Sequence, residues 1–172
     1  MGGALSRGEA LGVIGWGVAW FARFDMGGRM GSLVTATAAE SKYDNDVRKM
    51  LGALKPGVFS VVWFILYLLN AIASYHYWRD FEKSAYYTWG IALLAANIVL
   101  NKAWVPLFFG ARSPRAALFD VILILGTAVT VAVFAALDAH HAHSGWLSAA
   151  LFAPYVVWLL VATGLNMKFI AQ

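Results

Sequence analysis

The sequence predicts an all-α integral membrane protein, a five transmembrane helix bundle that forms a single domain over residues 1–172. Three observations carry this prediction. Apolar types make up 61% of the chain and charged residues 13%, with a mean hydropathy of +0.67, whereas soluble domains are about half apolar and a quarter charged. Four apolar stretches reach the length of about 20 residues that a helix needs to cross the hydrocarbon core. Eight Trp and seven Tyr would be costly to bury in a small soluble core, but such rings suit the bilayer interface and apolar ligand pockets.

The elements follow in order. The first helix, about 8–24, is the hardest to assign, because its apolar run of 11–22 stops at Arg23, short enough for an interfacial or tilted segment to compete with a true span. Gly8, Gly12, Gly15 and Ala19 share one helical face, and small residues let a neighbouring helix approach closely in lipid. Glu9 ahead of the run and Trp16 and Trp20 within it argue against a cleaved signal peptide. Helices are then expected at 57–78, 85–109, 115–137 and 146–170, joined by short connections. Between the first two lies an enlarged polar loop, 25–56, too long for an idle connector. It reads as a lid with its own short helix or as a partly disordered insertion. No internal repeat or second domain is visible.

Charge placement sets orientation. With five spans, Arg23, Arg29, Lys42, Arg48, Lys49, Lys55, Arg112, Arg115 and Lys168 share one side, and Arg7, Arg79 and Lys83 the other. The positive-inside rule then places the long first loop and the C-terminus in the cytoplasm. The net charge of +4 is spread over short loops, so it reads as a topology signal and no nucleic-acid partner is expected. With no Cys there is no disulfide, thiolate metal site or cysteine nucleophile.

Sorting the helices by face gives four inward stripes. The second helix aligns Trp63, Tyr67, Asn70, Ser74 and Tyr77, and the third Asn97, Asn101, Trp104 and Phe108. The fourth offers Asp120, Thr127 and Thr130, and the fifth Tyr155, Trp158, Ala162 and Leu165. Lipid-facing positions have no use for Asn or Asp, so the stripes should face the bundle interior. Interhelical hydrogen bonding, at about 0.6 kcal/mol per contact, explains any single Asn equally well. Four stripes of rings with sparse polar groups match the lining of a pocket for a flat apolar ligand.

Lys102, one residue from the Asn101 stripe, costs about 2.5–3.5 kcal/mol at mid-bilayer, so it either snorkels to the headgroups or finds Asp120. The snorkel is the expected outcome. His140, His141 and His143 have metal-like composition but sit in a short loop with Asp138 as the nearby carboxylate, so a solvated loop is expected and no metal site. His76, with Tyr75, Tyr77 and Trp78, reads as part of an interfacial belt. No Ser-His-Asp arrangement, phosphate loop or paired-carboxylate spacing occurs, and no catalytic residue is assigned.

The stretches "KPGVFSVVWFILYLLNAIASY", "LNKAWVPLFFGARSPRAALFD" and "PYVVWLLVATGLN" together resemble the TspO/MBR family, whose members are also called translocator proteins, peripheral benzodiazepine receptors or tryptophan-rich sensory proteins. The resemblance runs from Lys55 to about Asn166. It implies a five-helix bundle, often a homodimer, in the mitochondrial outer membrane of eukaryotes or the cell envelope membrane of prokaryotes. It implies a pocket beneath the first loop for tetrapyrroles such as protoporphyrin and haem, or for sterols in animals, with no obligatory cofactor. Trp63, Asn101, Trp104, Trp158, Ala162 and Leu165 stand at positions matching the family's pocket motifs.

Three departures from the family pattern stand out. Gly57 and Ser60 occupy a region where the family carries a tryptophan and several prolines, and the enlarged loop lacks the usual Trp-Tyr pair. Met167 and Ala171 replace the Tyr and basic residue of the sterol-associated pattern, although a loose match occurs at Leu69, Tyr75 and Arg79. At Lys102 the family usually has an apolar or aromatic residue. Three functions are therefore expected to compete: a receptor or carrier for tetrapyrroles or similar flat lipophiles, a light-dependent porphyrin-degrading catalyst, and a scaffold acting through the long first loop.

Overall fold

The structure, a computed structural model, describes residues 6–21, 43, 46, 47, 49, 56–82, 84–138 and 144–171. The described residues form helices and turns without a strand: α1 (Arg7–Phe21), α2 (Pro56–Asp80), α3 (Tyr87–Val105), α4 (Pro114–Leu137) and α5 (Gly145–Ile170), with a π-helical turn at Pro106–Gly110 after α3. Four of them, over Val61–Asp80, Tyr87–Gly110, Pro114–Leu137 and Gly145–Ile170, are long and apolar enough to cross a membrane. The chain is a multi-pass membrane protein. The described part of helix α1 has 15 residues, or roughly 22 Å at 1.5 Å per residue.

Local sequence explains where the helices begin. The Glu9 N–H donates to Ser6 Oγ at 3.3 Å and the Ser6 N–H donates to Glu9 Oε2 at 2.8 Å, a reciprocal capping box at the start of α1. Pro114 occupies a first helical position, where the missing N–H costs nothing. The chain stays helical through Pro106, within the expected 85–109 helix. Having no N–H, Pro106 breaks the α-helical ladder, and the Ala111 N–H donates instead to the Pro106 carbonyl five residues back at 2.8 Å. This widened turn aims Phe108 inward, where it is completely buried. Arg112 then takes a positive φ of 50° to reverse the chain into α4.

Packing follows the connections. Helix α2 lies against α1 and α5, and α4 lies against α3 and α5. Trp63 meets Trp158 at one end of α2, and Ser144 donates to Asp80 at the other, so α2 and α5 run antiparallel. At that second end Arg79 reaches Glu9 of α1 at 3.7 Å and donates to Asp80 at 2.5 Å. A small polar network thus ties three helices together. His76, on the same end, lies 3.7 Å from Asp80. Trp78, Trp89 and Trp146 stand exposed at this level, one ring from each of three helices, as an aromatic belt requires.

Glycine matters at two contacts. A Cβ on Gly90 would collide with the Tyr77 ring, which is fully buried, stacks on Phe81 at 4.4 Å and donates to the Tyr86 carbonyl at 3.2 Å. On α1, a Cβ at Gly12 would lie 2.7 Å from the Trp78 ring. The expected small-residue face is only partly used, because Gly8 and Gly15 have no neighbour within 4 Å of such a Cβ. Helix α1 leans on α2 through Gly12 and Trp20, and Leu11, Ile14 and Val18 face outward.

Candidate functional site

The inward stripes converge. Tyr67, Asn70, Ser74 and Tyr77 of α2 are buried, as are Asn97, Asn101 and Phe108 on the α3 side, Asp120 on α4 and Tyr155 on α5. Trp63, Trp104, Trp158, Ala162 and Leu165 are half-buried at the margins of the same interior. Thr127 and Thr130 are also half-buried, and Thr130 donates to its own helix at the Gly126 carbonyl.

The rings form one continuous set. Trp63 lies 5.2 Å from Tyr67, 6.4 Å from Tyr155 and 6.4 Å from Trp158, the last two edge-on. Trp20 of α1 completes it, 5.7 Å from Tyr67 and 6.1 Å from Tyr155, with its indole N–H donating to Ser74 Oγ at 3.0 Å. Edge-to-face geometry sets the positive rim of one ring against the negative face of the next. The site therefore draws on α1, α2 and α5 for its aromatic wall.

Beside that wall lies a polar knot on α3, α4 and α5. Asn97 donates to the Ile124 carbonyl at 2.9 Å and to Thr127 Oγ1 at 2.7 Å, and its own Oδ1 accepts from the Tyr155 hydroxyl at 2.9 Å. The Asn101 amide offers its N–H bonds to the Tyr155 oxygen at 2.5 Å, to Asn97 Oδ1 at 2.9 Å and to the Asn97 carbonyl at 2.8 Å. Asn97 is thus held by bonds to two other helices and Asn101 by one interhelical bond and two within α3, the alternative that the sequence left open for each of them.

At the end facing the first loop, Phe108, Ala117 and Phe169 pack with Val47 into a second buried cluster. Tyr43 caps it, 5.2 Å from Phe169 and 6.1 Å from Phe108, and its hydroxyl donates to the Phe108 carbonyl at 2.6 Å. Trp104 stacks on Phe108 at 4.9 Å and belongs to both clusters. Ahead of α2, Tyr43, Asp46, Val47 and Lys49 are the described residues of the enlarged loop.

Lys102 is half-buried and forms no ion pair with Asp120 or with any other described residue. Among the described residues no three His, Asp or Glu side chains converge as a metal ion would require. His140, His141 and His143 lie outside the described residues.

The profile of the TspO/MBR family matches residues 19–171. The chain belongs to the TspO/MBR family. Among relatives, it is 34% identical to Protein CrtK of Rhodobacter capsulatus over 112 residues, 64% of this chain and 66% of that one. It is 39% identical to the translocator protein of Sus scrofa over 113 residues, covering 61% and 59% of the two chains. It is 30% identical to the tryptophan-rich protein TspO of Archaeoglobus fulgidus over 145 residues, covering 81% and 84%. The chain thus spans less than two-thirds of the length of the first two relatives.

Several interior residues of this family member escape a reading by stripes. Trp20 is 4% exposed and Asn166 2%, yet neither stood in an expected site. Helix α5 buries Phe152, Tyr155, Leu159, Asn166 and Phe169, so its true inward line is turned slightly from the Tyr155, Trp158, Ala162 and Leu165 line. Spacing could have found it, since 155, 159, 162, 166 and 169 alternate steps of four and three. The roles of Tyr43 and Phe169 depend on the fold of the long loop, for which the sequence has no local signal.

Proposed function

We propose that this TspO/MBR member is a membrane receptor or carrier that binds tetrapyrroles such as protoporphyrin or haem, or similar flat lipophiles such as sterols, between its helices. The ligands would contact Trp63, Tyr67, Asn97, Asn101, Trp104, Phe108, Asp120, Tyr155, Trp158, Ala162 and Leu165. One observation carries the reading: Trp63, Tyr67, Tyr155 and Trp158 present a set of edge-on and tilted rings from two helices, next to a hydrogen-bonded polar knot and beneath an aromatic cover. Flat π-rich ligands favour such walls, because ring–ring contact adds about 0.5–1.5 kcal/mol per pair beyond burial. Lys102, Arg112 and Arg115 would place basic groups near the mouth for propionates.

The same proposal makes α1 a fifth, tilted span, supported by the outward faces of Leu11, Ile14 and Val18. It sets the first loop and the C-terminus in the cytoplasm, in a mitochondrial outer or cell-envelope membrane, with the bilayer as partner and a homodimer as assembly. Titration of the purified protein with protoporphyrin, followed by Trp quenching, tests the ligand. Saturable quenching that weakens in Trp104→Phe and Trp158→Ala is expected. Linear quenching unaffected by either substitution would refute the site.

A second reading, light-dependent porphyrin breakdown, draws on the series Trp158, Trp63, Tyr155 and Trp20, whose successive rings are 6.4, 6.4 and 6.1 Å apart. Rings so spaced could relay an electron to an excited porphyrin. Illumination of the bound complex should then yield a new absorbing product, and an unchanged rate in Trp158→Phe would leave that ring no part.

A further inference from the structure

Among the described residues, buried polar groups without a hydrogen-bond partner include Asn70, Tyr75 and Ser148 elsewhere in the bundle, and three more that share one level. Phe108, Ala117 and Phe169 lie in one buried layer on the α3, α4 and α5 sides. One helical turn deeper, about 5 Å, each of those three elements places a polar side chain. Trp104 precedes Phe108 by four residues, Asp120 follows Ala117 by three, and Asn166 precedes Phe169 by three. The Trp104 indole N–H, Asp120 Oδ2 and both amide atoms of Asn166 are buried without a hydrogen-bond partner. Asp120 is 4% exposed and Asn166 2%. Leaving such groups unpaired is costly, most of all for a charge, whereas Asn101 and Asn97, one and two turns below Trp104, are held by hydrogen bonds.

We infer that Trp104, Asp120 and Asn166 form a polar socket that binds a hydrogen-bond-donating group, a hydroxyl or a protonated amine, carried by an otherwise apolar ligand. The inference rests on the ligand-binding reading given above and adds the chemistry of one end of the ligand. The donor inventory selects the class. Asp120 accepts, Trp104 donates, and the Asn166 amide does both. A hydroxyl satisfies an acceptor and a donor together, and an ammonium meets the carboxylate without any competing cation among the described residues. A carboxylate would face Asp120 across a low-dielectric gap, where like charges repel strongly. The socket therefore turns propionate edges away from itself and towards the basic loop.

Two porphyrins that share one ring test this. Protoporphyrin dimethyl ester has no peripheral donor, and the diol made by reducing both propionates to hydroxypropyl groups has two hydroxyls and no charge. Both are titrated against the protein in lipid nanodiscs by Trp quenching, and the readout is the ratio of the two dissociation constants. The wild type should bind the diol about tenfold more tightly, the effect of a hydrogen bond to a charged group. Asp120→Asn and, independently, Asn166→Leu should each bring that ratio to about threefold or less. Saturable binding of both ligands with a wild-type ratio near one overturns the socket and leaves the ligand-binding reading intact. No saturable binding of either ligand overturns both.

Discussion

The Tyr155 hydroxyl sits at the centre of the polar knot, yet its removal should be mild. Tyr155→Phe deletes two hydrogen bonds, one accepted from Asn101 and one donated to Asn97 Oδ1. Neither partner is stranded, because Asn101 still donates to the Asn97 carbonyl at 2.8 Å and to Asn97 Oδ1 at 2.9 Å, which keeps that oxygen occupied. At about 0.6 kcal/mol per interhelical bond in a membrane the loss is about 1 kcal/mol. That corresponds to a fall of roughly 2–4 °C in the unfolding midpoint of a chain this size. Asn97→Ala is the contrasting change. It removes the bonds to Ile124 and Thr127, opens a void, and leaves the buried Tyr155 O–H without its acceptor, for about 3–4 kcal/mol in all. Thermal unfolding in one detergent, followed by near-UV circular dichroism, measures both. A Tyr155→Phe loss equal to that of Asn97→Ala would refute the reasoning, since the hydroxyl would then carry the knot alone.

Three further outcomes follow from the packing. Gly90→Ala drives a Cβ into the buried Tyr77 ring and should cost about 1–3 kcal/mol by overpacking, whereas Gly15→Ala meets open space and should raise the midpoint slightly through better helix propensity; equal effects in thermal unfolding would contradict the α2–α3 contact. The Lys102→Met, Asp120→Asn and double variants should be additive within about 0.5 kcal/mol, because the two side chains form no pair; a coupling of several kcal/mol in the cycle would place Lys102 inside the bundle. Arg79→Gln removes a link between α1 and α2 whose two ends are more than a third exposed, so its cost should stay below about 1 kcal/mol and shrink in high salt; a large, salt-insensitive loss would show a tighter junction than the geometry allows.

Particular residues show what the sequence made legible. The four long apolar runs are read as spans because length against the bilayer is a one-dimensional property, and the helices fall close to where those runs lie. Asn97, Asn101 and Asp120 are read as inward because lipid offers them nothing. What such reasoning misses is set by contacts between distant segments. Trp20 looks like an interfacial ring until Ser74 and Tyr67 are placed beside it. Asn166 falls one position past the half-buried Leu165, and a 100° rotation separates a lining residue from a buried one. Pro106 falls inside the expected 85–109 helix, and only the backbone shows that a π turn carries the chain through it to Gly110. Gly8 and Gly15 share spacing with Gly12, but a helix contacts its neighbour only over the arc where the two axes cross.

The central claim is that one chiral site inside the bundle holds a flat tetrapyrrole. The most direct measurement is induced circular dichroism in the Soret band as protoporphyrin is added to the protein in nanodiscs, with empty nanodiscs as the reference. An achiral ring acquires such a signal only when fixed against an asymmetric wall such as Trp63, Tyr155 and Trp158. The account predicts a signal that saturates near one porphyrin per chain, within about a factor of two for a single pocket, and that is lost in Trp63→Ala and Trp158→Ala variants that still unfold cooperatively. A signal no larger than that of empty nanodiscs, or one that grows without saturating and ignores both substitutions, would contradict it.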